Sequence, residues 1–149
     1  MYIILLVISS FISGPACDRM VEVREAYGNI QSEKELISFI DLLDSFECPG
    51  SEPYMASAIM QKAQFAMAPW TKYNFFIQGK KQLENYISNY PKDLEARYIR
   101  FLIQSHAPFF LGYNGEKEED TQLILENIDQ SGLSAEYIAQ IKKHISEFK

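Results

Sequence analysis

Cysteine is scarce in this 149-residue chain, with Cys17 and Cys48 the only two, too few for a multi-disulfide scaffold or a thiolate zinc site. Histidine is equally sparse: His106 and His144 stand far apart without a neighbouring ligand residue, which argues against a metal centre and leaves them as surface or helix-end residues. Basic charge is in deficit. With 14 Lys and Arg against 20 Asp and Glu, the formal net charge is −6 and the pI about 4.9, a balance that disfavours nucleic acid and polybasic membrane contact. Also missing are HExxH, CxxC, a phosphate-binding P-loop, a dinucleotide glycine pattern and GxSxG, so the common catalytic signatures are absent and no cofactor is expected. No segment alternates with period two, so strands are not expected.

What is present is ordinary globular composition, 47% hydrophobic and 23% charged, which argues against disorder. Nine tyrosines and ten phenylalanines supply the bulk of a core, and the length suits one domain.

Residues 1–16 are set apart from that domain. MYIILLVISSFI at 1–12 is apolar and uncharged, and SGPA at 13–16 follows, the pattern of a signal-peptide core and its small-residue cleavage site. The run is shorter than the about 20 residues a spanning helix needs. No Lys or Arg precedes it, a departure from the usual basic start that suggests translation beginning upstream of Met1. The competing reading is an apolar first helix of a cytosolic protein. Export makes three fates available to Cys17: acylation as a lipoprotein anchor, pairing with Cys48, or a free thiol. SGPA lacks the leucine usual three residues before a lipidated cysteine, so acylation and pairing stay level.

From residue 17 to 149 the apolar period is helical. A first helix is expected over 18–27, ended by Gly28 and Asn29. Ser32 and Glu35 have capping-box spacing, and Leu36, Phe39, Ile40 and Leu43 then form one apolar stripe. Ser51 and Pro53 open a third helix, apolar on several faces and hence central; Ala68 and Pro69 end it. A fourth is expected over 71–89, with Lys80 and Lys81 turned to water. Asp93 caps a fifth over 94–105, an apolar loop covers 109–113, and the sixth, over 116–130, starts among acids. Ser134 caps the seventh, with Tyr137, Ile138, Ile141, Ile145 and Phe148 on one face. The expected fold is all-α: about seven helices in an irregular stack of antiparallel hairpins.

Gly79, Leu83 and Pro91 occupy the small, large and closing-proline positions of a tetratricopeptide repeat, although Pro69 falls where that repeat's first helix should continue. AQFAMAP at 63–69, KYNFFIQGKKQLE at 72–84, ARYIRFLIQ at 96–104 and PFFLGY at 108–113 together resemble a family of short, exported, tetratricopeptide-like helical proteins from Bacteroidota-type bacteria. Tyr98 and Ile99 depart mildly from that family's Phe-Leu. The resemblance implies a helical-hairpin fold and a periplasmic or envelope location, and implies no enzymatic activity.

Arg97, Arg100 and Gln104 follow one another at i, i+3 and i+7 on the fifth helix. With Tyr113 they could hold an anionic ligand, since guanidinium forks match carboxylate and phosphate. The structural reading is internal pairing of the arginines with acids of the next loop and helix, Arg100 being the better placed to reach Glu119 or Asp120 across a helical hairpin, or backbone carbonyls of the 109–113 loop. The acids at 116–120 lack the spacing of a calcium loop and read as N-terminal helix charge, and the 109–113 loop reads as a plug between hairpins, with an exposed partner-binding patch as the alternative. These features favour a non-enzymatic interaction or scaffold module whose partner is another protein, with membrane contact only through a lipid at Cys17; the alternative is a ligand-binding or enzymatic domain using Arg97, Arg100, Gln104 and Tyr113.

Overall fold

The computed structural model describes residues 17–148; the expected signal sequence at 1–16 lies outside them. Among the described residues there are seven α-helices: α1 (Met20–Gly28), α2 (Glu33–Asp44), α3 (Glu52–Phe65), α4 (Pro69–Asn89), α5 (Leu94–His106), α6 (Lys117–Asn127) and α7 (Ala135–Phe148). Short 3-10 turns at Pro49–Ser51, Phe109–Leu111 and Ile128–Gln130 complete them, and no residue in this range is in a strand.

The local chemistry explains most boundaries. The Glu35 amide donates to Ser32 Oγ at 3.3 Å, while the Glu35 carboxylate accepts from the Gln31 amide at 2.8 Å, closing the box one residue earlier than the spacing suggests. The Gln31 amide most, and next the Ser32 hydroxyl donating to the same carboxylate at 3.1 Å, favour the ionised form and hold Glu35 below the usual range. Asp93 Oδ1 accepts from the amides of Glu95 and Ala96, and Ser134 Oγ from that of Tyr137. Two expectations need correction. Ser51 does not cap α3 with its side chain; its hydroxyl donates to the Cys48 carbonyl inside the preceding turn. Pro69 opens α4 at the first helical position, where it has no amide to leave unpaired.

Helices adjacent in sequence pack as pairs, α1 with α2, α3 with α4 and α5 with α6, and α3 also meets α2 and α5. α3 is the expected central helix, burying Tyr54, Ala56, Ser57, Ala58 and Met60. Its closest neighbour is α4 at Gly79, where a β-carbon would lie 2.5 Å from Met60 Cγ and closer still to the Ala56 carbonyl oxygen. Two apolar cores result. One gathers Val23, Leu36, Phe39, Tyr54, Leu83 and Ile99, among others, from α1 to α5; the second joins Tyr98, Phe101, Ile124, Ile128, Ile141 and Ile145. α5 contributes to both and forms the wall between them.

Cys17 and Cys48 are disulfide-bonded, with Cα atoms 6.1 Å apart, just outside the two ends of the α1–α2 hairpin. That is the geometry expected when a tight connection folds two helices antiparallel. A sulfur held in this bond is not available for acylation.

Candidate functional site

α5 is where polar groups enter the interior. At about 100° per residue, Ala96 and Ile99 face one core, while Tyr98 and Phe101 face the other. Arg97, Arg100 and Gln104 fall on the strip between these faces and are buried there, and Tyr113 is buried in the loop beyond. The structure brings these four residues into one neighbourhood by way of the acids around them.

Asp120, in the first turn of α6, is fully buried and is the hub. Arg100 grips it with a fork, Nε to Oδ2 and Nη2 to Oδ1, both 2.7 Å. Its remaining nitrogen, Nη1, donates to Glu84 of α4 at 2.8 Å. Arg97 Nη1 donates to Asp120 Oδ1 at 2.9 Å and to Glu119 at 3.0 Å, and its Nε to the Pro91 carbonyl at 3.0 Å. The Tyr113 hydroxyl donates to Glu84, and Gln104 Nε2 to Glu116 at 2.5 Å. Burial opposes the charge on Arg100, but the bonds to Asp120 and Glu84 outweigh it and raise its pKa. Burial and the Glu84 carboxylate push the Tyr113 hydroxyl well above its ordinary value.

Arg97 therefore shares the pairing for which connection length ranks Arg100 first. Asp120 does more than bias a helix end: it pairs with two guanidiniums at once, with Glu119 and Glu84 adding negative charge beside it. All three nitrogens of Arg100, and Nε and Nη1 of Arg97, donate to the chain's own oxygens, and one buried polar atom in the cluster lacks a partner, Gln104 Oε1. The 109–113 loop is only partly a plug. Leu111 and Tyr113 turn inward, whereas Phe109 and Phe110 project outward. Lys81 is exposed as expected, but Lys80 Nζ sits 4.6 Å over the Tyr113 ring.

A second polar network escaped sequence reasoning. Arg24 of α1 donates to both carboxylate oxygens of Glu95 on α5, at 2.8 and 2.6 Å. The Tyr54 hydroxyl donates to the same carboxylate at 2.6 Å and shares a 2.9 Å bond with the Tyr137 hydroxyl of α7. Desolvation raises the pKa of both tyrosines, with Glu95 adding to it. Arg24 and Glu95 lie 71 residues apart, so no helical spacing could pair them.

Neither histidine joins these networks. His106 is exposed, with Nδ1 2.8 Å from the Leu102 carbonyl of its own helix, and His144 Nδ1 shares a 2.5 Å bond with the Tyr98 hydroxyl. Among the described residues no group of three or more His, Cys, Asp or Glu is placed to hold a metal ion, and no helix is long and apolar enough to cross a membrane. A groove of about 300 Å³ lies beside the disulfide, with Leu43, Phe46 and Met55 in its lining and Glu47 and Glu52 among its polar groups; the arginines do not reach it. The chain matches no known protein family, no curated protein and no solved structure.

Proposed function

We propose that the chain is a non-enzymatic interaction or scaffold module of the bacterial periplasm or envelope, built as a tetratricopeptide-like stack of hairpins. The observation that carries this reading is the internal pairing of the arginines: the Arg100 fork is filled by Asp120 and its third nitrogen by Glu84, while Arg97 spends Nη1 on Asp120 and Glu119 and Nε on the Pro91 carbonyl. The Cys17–Cys48 bond supports the compartment, since such bonds persist in oxidising surroundings. Helical-hairpin stacks commonly present extended surfaces to other proteins, an argument by analogy of fold. One atom favours the alternative, an Arg/Gln/Tyr ligand pocket: the unpartnered Gln104 Oε1 would accept a bond from a small donor.

Two measurements separate these readings. Affinity capture from the native envelope, with the disulfide intact, should recover a defined protein in stoichiometric amount. Phosphate and dicarboxylates should shift the melting temperature no more than chloride at matched ionic strength. A saturable anion-specific stabilisation, abolished by Arg97→Ala at unchanged basal melting temperature, would overturn the scaffold reading in favour of the pocket.

A further inference from the structure

The acidic net charge conceals a region of opposite character. From residue 53 to 83 the chain carries Lys62, Lys72, Lys80 and Lys81 and no acidic residue. This stretch is the α3–α4 hairpin. α4 has 21 residues and α5 has 13, joined by a short turn pinned by the 2.8 Å bond from the Tyr86 hydroxyl to Asp93. α5 thus runs out near residue 77 of α4, and the start of α4 overhangs it by roughly 12 Å, at 1.5 Å per residue.

The overhang is apolar on its outer side. Trp70, Tyr73 and Ile77 recur at i, i+3 and i+7 on one face, with exposures of 71%, 56% and 38%, and Met67 at the hairpin turn is 97% exposed. Tyr113 packs against Phe76 with ring centroids 5.8 Å apart, which brings the Phe109–Leu111 turn to the same end of the molecule. There Phe109 and Phe110 are 88% and 84% exposed. Side chains this open are not enclosed by the chain's own packing. Scattered surface apolars need no explanation, but an aromatic cluster fringed by cations in an acidic protein does.

We infer that this tip docks on an anionic phospholipid surface, with Trp70, Tyr73, Phe109 and Phe110 entering the headgroup region and Lys72 and Lys81 meeting the phosphates. Trp and Tyr rings favour the interface between water and hydrocarbon, and lysine stems lie along apolar surface while their ammonium groups stay among the headgroups. An anionic leaflet concentrates local basic charge within about 10 Å of its surface, and the acids bonded beside the turn are engaged inside the chain, Glu84 by Arg100 and Tyr113 and Glu116 by Gln104. A second copy fits less well, because pairing two such tips would oppose like charges. This docking does not depend on the scaffold reading and can fail or hold separately from it.

Trp70 is the chain's one tryptophan, so its emission reports on the tip alone. The full chain should be titrated with vesicles of equal phosphatidylcholine and phosphatidylglycerol, and with phosphatidylcholine alone. The anionic vesicles should move Trp70 emission to shorter wavelength and shield it from acrylamide, with little response to the neutral ones. Lys72→Glu with Lys81→Glu should weaken that partitioning roughly tenfold or more, and Phe109→Ser with Phe110→Ser should weaken it at unchanged helicity. Unmoved emission at saturating anionic lipid overturns the proposal, even where the chain binds vesicles through another part. Equal response to both vesicles overturns the role of the lysines. A lipid-independent shift overturns it too: one that rises with protein concentration and a doubled mass assigns the tip to a second copy, and one that needs lipid-free envelope protein assigns it to a protein partner.

Discussion

Asp120 is reached by two arginines while fully removed from water, and its surroundings set what each partner contributes. A buried ion pair need not add net stability over a well-packed apolar pair, but deleting one member leaves an uncompensated charge and costs about 3–5 kcal/mol. Arg100→Ala should fall toward the lower end of that range, since it leaves the buried Asp120 with the single Arg97 bond and releases Glu84. Asp120→Ala should cost at least as much, because two guanidiniums lose their shared carboxylate. Arg97→Ala should cost less, about 1 kcal/mol, as Asp120 keeps the Arg100 fork and Glu119 is exposed. Urea-unfolding midpoints of the three variants give this order; an Arg100→Ala protein as stable as wild type would show that the cluster is not structural. Sequence spacing made Arg97, Arg100 and Gln104 visible as one surface, and hairpin geometry made Asp120 a candidate. It placed Arg100 ahead of Arg97 for that contact because distance from the connection ranked the arginines. A flexible guanidinium stem erases a ranking made by backbone turns.

At the scale of elements, α5 shows why periodicity reads helices well and interiors poorly. Its seven buried residues include three polar ones, so it has two apolar faces with polar seams between them: Arg97, Arg100 and Gln104 on one side, Glu95 with Arg24 and Tyr54 on the other. The apolar period and the Asp93 cap were legible, since both are local. The second seam was not, because its members come from α1, α3, α5 and α7. The aromatic turn was half legible for a similar reason. Four apolar side chains in a five-residue turn say that some must be buried, and only the surroundings, Phe76 among them, decide that Tyr113 is. Gly79 gives the sharpest test between elements. Alanine would favour the isolated helix by about 1 kcal/mol, but here its β-carbon meets a backbone carbonyl of α3, which cannot swing aside as a side chain could. Overpacking of this kind costs about 1–3 kcal/mol. Gly79→Ala should therefore lower the melting temperature despite its better propensity, and adding Met60→Ala should not restore it.

For the whole molecule, the disulfide and the two cores divide the work. The Cys17–Cys48 bond closes a loop of 31 residues in sequence separation around α1 and α2, which contribute Met20, Val23, Leu36, Phe39 and Leu43 to the first core and nothing to the second. In the chain-entropy account a loop of this length is worth about 3–4 kcal/mol, through the freedom it denies the unfolded chain. Reduction should lower the stability by about that amount, as should replacing both cysteines with serine. The opening should also be localised. α1 is the shortest helix, with two buried residues, and apart from the bond its main polar tie to the rest is Arg24 on Glu95. Sub-global opening draws on regions with few buried contacts. In native-state hydrogen exchange, reduction should therefore speed α1 amides first and α2 next, while α6 and α7, held by Ile124, Ile128, Ile141 and Ile145, change little. If α7 accelerated as much as α1, the network from Arg24 through Glu95 and Tyr54 to Tyr137 would be coupling the two cores into one cooperative unit. Tyr137→Phe would then decide the matter, since it removes only the hydroxyl at the far end of that network and should restore the separate behaviour of α7.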